Sequence, residues 1–134
     1  MPTYVRLRRG AETYAMPVAF VTEITEFGMV AAVPGSGPET LGLRNLRGQV
    51  LPVVDLAAVL GIERAAAPGR LLVAEAGGHR ACLAVDEVRS IGELPAPAEQ
   101  TESSLLRGAV LAGTDLIGII DVPQVLDSVA GASR

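Results

Sequence analysis

The stretch of sequence most informative about the fold reads Gly42-Leu43-Arg44-Asn45-Leu46-Arg47-Gly48-Gln49-Val50-Leu51-Pro52-Val53-Val54-Asp55-Leu56. Its second half contains a strongly apolar run, residues 50–54, that is typical of a buried strand. Pro52 interrupts this run, and because proline lacks an N–H donor, its position should face an edge or a bulge. Asp55 then fits the N-cap of a short helix over residues 56–60, which Gly61 would end. The stretch therefore predicts a turn, a buried strand and a capped helix in succession.

The turn before this strand contains Asn45 and Gly48, residue types that adopt unusual backbone angles. Arg47 lies between them and would project from a tight corner. Its planar guanidinium could bind a carboxylate or carbonyl groups on a partner. Alternatively, Arg47 ties the corner to the protein's own backbone. We expect Asn45 and Gly48 to shape the turn, and we treat Arg47 as a candidate binding residue.

Similar patterns occur in both halves of the chain. A hairpin is predicted at residues 4–8 and 13–16, and another at residues 71–74 and 80–85, each with glycine in the turn. Gly77 follows Gly10 by 67 positions, and Asp121, a second candidate N-cap after the apolar run 116–120, follows Asp55 by 66. Two similar β units, each too small to bury its apolar surface alone, should therefore share an interface, and their short strands favour small barrels. The alternative is that apolar hairpins look alike by chance.

Composition narrows the function classes. The chain has 134 residues, 49% of them hydrophobic, and a formal net charge of -4. The acidic balance argues against nucleic acid or an anionic membrane as the main partner, because both bind basic surfaces. All 11 basic residues are arginine, which we attribute to genome composition.

The expected location is the cytoplasm. The single cysteine, Cys82, cannot form an internal disulfide, and it lies in an apolar run where a buried thiol is expected. The N-terminus shows no apolar signal-peptide stretch, and no apolar run approaches membrane-spanning length, so no direct membrane insertion is expected.

The segment 45–48, Asn-Leu-Arg-Gly, followed by an apolar strand with proline and by Val54-Asp55-Leu56, resembles the signature of the CheW family of bacterial chemosensory coupling proteins. The resemblance extends from the strand at Tyr4 to the helix after Asp121. It implies an all-β fold with short helices: residues 1–134 would form a single CheW-like domain of two small five-stranded SH3-like barrels packed together. It also implies a non-catalytic adaptor without a cofactor or metal.

The resemblance further implies two partners for such an adaptor. One is the histidine kinase CheA, bound through its CheW-like regulatory domain, and the other is the cytoplasmic tip of methyl-accepting chemoreceptors, which would recruit the protein to membrane-associated arrays. The receptor-binding candidates are Val21, Glu23 and Arg47. Residues 21–24 match the family's Val-x-Glu pattern, and Arg47 belongs to the Asn-Leu-Arg-Gly run. Ordinary core packing is the alternative for Val21, and an internal ion pair is the alternative for Glu23 and Arg47.

Other functions remain to be weighed. The protein could be a CheW-like scaffold of a non-motility chemosensory pathway, or a small-ligand sensor using the crevice between the barrels. Catalysis has little support, because the lone His79 lies in a predicted turn and the pair Asp86-Glu87 is expected in a solvated turn. One histidine and one cysteine cannot fill a structural zinc site.

Overall fold

Short strands separated by tight turns make up most of the protein, as its alternating apolar pattern predicts. The computed structural model describes residues 2–62, 67–97, 101 and 103–132. Within these ranges lie β1 (Thr3–Arg9), β2 (Glu12–Pro17), a 3-10 turn (Val18–Phe20), β3 (Val21–Glu26), β4 (Thr40–Leu46), β5 (Gln49–Asp55), α1 (Leu56–Leu60), β6 (Arg70–Ala76), β7 (His79–Val85), β8 (Glu87–Glu93), β9 (Leu106–Ala112), β10 (Asp115–Ile120) and α2 (Val122–Ala132). The predicted all-β class is confirmed.

The ten strands form two five-stranded sheets. The first sheet has the order β8-β1-β2-β10-β9, and the second has the order β3-β6-β7-β5-β4. In each sheet one pair of neighbouring strands is parallel, and the other neighbouring pairs are antiparallel. Val53 of β5 pairs with Cys82 of β7, and Ile119 of β10 pairs with Ala15 of β2. The two pairs are equivalent positions of the two halves: Ile119 follows Val53 by 66 residues and Cys82 follows Ala15 by 67, which are the offsets seen in the sequence.

The boundary between the sheets does not follow the boundary between the sequence halves. The hairpin β1–β2 belongs to the first sheet, while β3, β4 and β5 from the same half belong to the second. The second half does the reverse, because its hairpin β6–β7 joins the second sheet and its β8, β9 and β10 join the first. We call this arrangement the hairpin exchange. Each sheet is therefore completed by strands from both halves of the chain.

Three clusters hold most of the buried apolar side chains in the described part of the chain. One packs on the first sheet and includes Tyr4, Val110 and Ile117. A second lies within the second sheet and includes Leu71 and Cys82. The largest lies between the sheets and the helices, and its buried members are Val5, Leu7, Tyr14, Met16, Val54, Leu56, Leu72, Ala74, Ala81, Leu83, Val85, Ile120, Val122, Val125, Leu126 and Val129. The expected shared interface is thus the main core of the protein, and we call it the shared core.

Helix α1 begins and ends, and helix α2 begins, at the residues that the sequence predicts. Asp55 caps α1 by accepting a hydrogen bond from the Ala57 N–H at 2.9 Å, and Gly61 ends it with a φ of 72°. Asp121 accepts a hydrogen bond from the Gln124 N–H at 3.1 Å at the start of α2. No helix in the described part of the chain is long and apolar enough to cross a bilayer.

Two strands had no clear signal in the sequence. Residues 42–46 belong to β4, although the sequence predicts a turn there. The sequence predicts no strand at the position of β9. Gly42 marks an irregularity in β4, where a Cβ would lie 2.2 Å from the Ala31 carbonyl oxygen. Ala31 and Leu43 exchange two backbone hydrogen bonds there, at 2.8 and 2.9 Å.

Pro52 lies opposite Leu43, one residue before β5 begins to pair with β7, so no ladder donor is needed from it.

A buried charge cluster corrects the expectation of a solvated turn at Asp86. Arg9 and Asp55 are fully buried, and the side chain of Asp86 is 3% exposed. Arg9 donates from Nε to Asp55 Oδ1 at 3.0 Å and from Nη2 to Asp55 Oδ2 at 2.8 Å, and its Nη1 donates to Asp86. Burial by itself would lower the pKa of Arg9, but the two carboxylates outweigh it and raise that pKa above its usual value. Asp86 is thus a structural partner, and only its neighbour Glu87 is substantially exposed.

Candidate partner-binding site

A groove of about 220 Å³ lies where the edges of the two sheets meet. The second sheet contributes β3, its edge strand, together with Val18 of the preceding 3-10 turn. The first sheet contributes Val5 of β1 and Ile91 of β8, which are Cα partners in the β1–β8 ladder. Its lining is Val5, Val18, Val21, Thr22, Glu23, Ile24 and Ile91. The groove is therefore mostly aliphatic, with a carboxylate as its charged group.

Val21 begins β3 on the inner wall of this groove. It is half-buried and packs against the shared core. A register irregularity between Val21 and Glu23 interrupts the pairing with β6, and Thr22 uses its hydroxyl to donate to the Val73 carbonyl at 3.2 Å. Val21 thus packs on core residues, which is the alternative that the sequence left open for it, and it also lines the accessible groove.

Glu23 and Arg47 form an ion pair at this site. The Arg47 guanidinium reaches the Glu23 carboxylate from the β4–β5 turn. The Glu23 side chain is 20% exposed, whereas that of Arg47 is 77% exposed. The internal pairing considered from the sequence therefore exists, yet most of the Arg47 side chain remains open to solvent.

The turn that holds Arg47 is a two-residue hairpin connection between Leu46 and Gln49. Arg47 has a φ of 52° and Gly48 a φ of 85°, the pair of positive values that a type I′ turn requires. Asn45 lies on β4, and its side-chain oxygen accepts a hydrogen bond from the Gly48 N–H at 2.9 Å. The unusual backbone angle expected at Asn45 thus falls on Arg47 instead, and Asn45 acts on the turn through its side chain.

Three exposed aliphatic side chains complete the groove and were not identified from the sequence. Ile91 is 62% exposed, Ile24 is 37% exposed and Val18 is 36% exposed. In the sequence each belongs to an alternating or apolar stretch, so it is indistinguishable from a core residue. Their exposure becomes visible only once the two edge strands lie side by side.

The groove is a poor match for a small-molecule pocket. Its volume of about 220 Å³ is below the roughly 300–1,000 Å³ of typical ligand sites. Its two polar side chains, Thr22 and Glu23, already bind Val73 and Arg47. The geometry favours an elongated apolar partner surface that lies along the groove over a ligand enclosed within it.

The remaining reactive side chains lie away from the groove. Cys82 is fully buried as predicted, and burial raises the pKa of its thiol, an effect that the charges of Arg44 and Arg80 partly oppose. His79 lies at the β6–β7 turn, about half exposed, with Nε2 4.0 Å from Asp127 of α2. Among the described residues no group of three or more histidine, cysteine or acidic side chains is arranged to hold a metal ion.

Two five-stranded sheets, joined by a shared core and bordered by an open apolar groove, define a two-sheet β-protein. The family profile of the CheW-like domain matches residues 3–130. The chain belongs to the CheW-like domain family, as the sequence resemblance indicated.

Individual relatives agree with this assignment. The chain is 29% identical to "Chemotaxis protein CheW" of Rhizobium meliloti (strain 1021), over 92% of this chain and 86% of that protein. It is 34% identical to "Probable chemotaxis protein CheW" of Rhizobium etli, over 77% of this chain and 70% of that protein. The crystal structure of the scaffolding protein TtCheW from Thermoanaerobacter tengcongensis superimposes with a TM-score of 0.80 at 25% identity, covering 91% of this chain and 86% of that one. The predicted pair of SH3-like barrels is thereby confirmed.

Proposed function

We propose that the protein is a non-catalytic adaptor that couples chemoreceptors to the histidine kinase CheA, and that residues 1–134 act as one CheW-like domain. Relatives named as chemotaxis and scaffolding proteins support this role. The observation that carries the proposal is the inter-sheet groove with the Glu23–Arg47 pair at its rim. An adaptor of this kind changes no covalent bond. It favours one arrangement of receptor and kinase over another through its differential affinity for the two.

The groove suits the helical hairpin at a chemoreceptor tip. Val18, Ile24 and Ile91 offer exposed aliphatic surface on both sides of it. An amphipathic helix binds such a groove by placing its apolar face against it. Val21 would contribute the floor of this contact, since it is half-buried there.

The Glu23–Arg47 pair at the rim of the groove supplies the specificity for the partner. The Arg47 side chain stays 77% exposed while one guanidinium nitrogen holds Glu23, so its remaining donors can bind a carboxylate or carbonyl of the partner. Rim charges mainly affect association rate and partner choice. In this proposal the ion pair holds the Arg47 side chain in position before the partner arrives.

CheA would bind elsewhere on the protein, because its CheW-like regulatory domain is a β-structure and the receptor occupies the groove. Strand edges provide the natural contact between two such domains. The ternary complex would recruit the adaptor from the cytoplasm to the membrane-associated receptor array.

A charge-swap experiment tests the role of the rim. Calorimetry would measure binding of a chemoreceptor-tip fragment to wild type, Glu23→Arg, Arg47→Glu and the double swap. If the pair contacts the receptor, all three variants should bind at least about tenfold more weakly, because the swap restores the internal ion pair but inverts the charges that the receptor meets. The matched control swaps the partly exposed pair Glu75–Arg80 of the β6–β7 hairpin, 3.7 Å apart, and should bind like wild type.

Two results would contradict the proposal. Recovery of receptor affinity in the double swap would show that Glu23 and Arg47 serve only each other. Failure of the folded wild type to bind both the receptor tip and the CheA regulatory domain would remove the adaptor role itself.

A further inference from the structure

The buried charge cluster links the two sheets of the protein. Arg9 ends β1 in the first sheet, and Asp55 ends β5 in the second. Asp86 lies between β7 and β8, where the chain crosses from the second sheet to the first. Arg9 binds both carboxylates, with a two-point contact to Asp55. We call these three residues the charge clamp.

Further contacts hold the clamp to the local backbone. Asp86 accepts hydrogen bonds from the Gly10 N–H at 3.1 Å and from Arg8 Nη1 at 2.9 Å. Its own N–H donates to the Arg8 carbonyl at 2.9 Å. Asp55 is fixed in turn by its cap on α1. Both carboxylates therefore accept hydrogen bonds from backbone N–H groups in addition to Arg9.

The clamp and the groove lie along the same pair of strands. In the β1–β8 ladder, Arg8 pairs with Glu87 beside the clamp, and Val5 pairs with Ile91 at the groove. The opposite wall of the groove is β3, an edge strand of the second sheet. A rotation of the first sheet relative to the second would therefore move one wall of the groove against the other.

The shared core alone does little to fix the angle between the two sheets, because apolar contacts have no preferred orientation. A two-point guanidinium–carboxylate contact has a fixed geometry. Away from that geometry, fully buried charges would lose their partners, which is strongly unfavourable. Buried ion pairs can therefore specify one arrangement even where an apolar replacement would be equally stable.

We propose that the charge clamp of Arg9, Asp55 and Asp86 sets the relative orientation of the two sheets and with it the width of the inter-sheet groove. The clamp acts as a positioning device and makes no contact with the groove itself. The clamp sets the width of the groove whichever partner occupies it.

Spin-label distances across the groove provide the test. Labels on Glu26→Cys of β3 and Ser90→Cys of β8, both exposed positions outside the groove lining, report the separation of its walls by pulsed electron paramagnetic resonance. Cys82 is fully buried, and its labelling is checked in the chain without added cysteines. The test variant is Arg9→Met with Asp55→Asn and Asp86→Asn, which removes all three charges together and retains a cap residue for α1.

The clamp predicts that this folded, charge-free variant shows a distance distribution at least about twice as wide as wild type. Arg89→Met on the same β8 strand removes an exposed contact to Glu87 and should leave the width unchanged. An unchanged width in the folded charge-free variant would overturn the inference. If that variant does not fold, Arg9→Lys decides the question, since it keeps the charge but not the two-point contact. A wider distribution supports the clamp, and the wild-type width refutes it.

Discussion

The replacement Arg47→Gly separates the function of the β4–β5 turn from its stability. Arg47 has a φ of 52°, which costs a non-glycine residue roughly 1–2 kcal/mol. Glycine removes this steric cost but adds about 0.5–1 kcal/mol of conformational freedom to the unfolded chain. The lost ion pair stabilises the fold by roughly 0.2–1 kcal/mol at most, because Arg47 is largely exposed. These terms nearly cancel, so the free energy of unfolding should stay within about 1 kcal/mol of wild type.

Urea unfolding and receptor-tip calorimetry on the same preparations would check this prediction. We expect unchanged stability in Arg47→Gly together with at least about tenfold weaker binding, which is 1.4 kcal/mol. Arg47→Ala is the matched control, since it loses the same ion pair but keeps the positive φ, and it should be less stable than Arg47→Gly. A stability loss above about 2 kcal/mol in Arg47→Gly, or wild-type affinity, would refute the reasoning, because Arg47 would then serve the fold and not the partner.

Two further predictions concern stability. Gly42→Ala should destabilise the protein by about 2 kcal/mol or more, because the new methyl group would meet the Ala31 carbonyl at 2.2 Å. Wild-type urea stability of this variant would show that the 27–33 segment moves aside at little cost. Hydrogen bonds from Arg89 and Arg8 lower the pKa of Glu87 below its ordinary value of 4.5, so its stabilising effect is present above that pH and is lost as the pH falls through the lowered pKa. Glu87→Gln should therefore lose less stability on acidification than wild type, and parallel pH profiles would contradict this.

Local patterns were sufficient to predict the parts of the fold that depend on near neighbours. Both glycine hairpins, the caps at Asp55 and Asp121 and the burial of Cys82 follow from residues close together in sequence. Strand β9 lacks such a signal, because Gly108 interrupts it and its residues do not alternate. The hairpin exchange also has no local signature, since a hairpin of given pattern can join either sheet.

The site was predictable in part. The motif resemblance identified Val21, Glu23 and Arg47. The structure places Val21 and Glu23 in one groove and pairs Arg47 with Glu23. The resemblance could not reveal the exposure of Ile91, which depends on a strand pairing some 86 residues away in sequence, at Val5. Nor could it reveal the Arg9–Asp86 contact, whose members are separated by 77 positions. Charges so far apart pair only because the folded chain brings the ends of β1 and β7 together.

The hairpin exchange has a consequence for how such a chain could have arisen. Either half taken alone holds the hairpin of one sheet and the other three strands of its neighbour, so it cannot complete a sheet by itself. Two identical copies of one half could complete each other, each donating its hairpin, and this is the arrangement of a domain-swapped dimer. If the halves descend from a duplicated unit, the fusion joined two subunits that were already intertwined. What is now the interior of a single chain would then be an ancient subunit interface, and the connection from α1 to β6 would be the link that joined the two subunits.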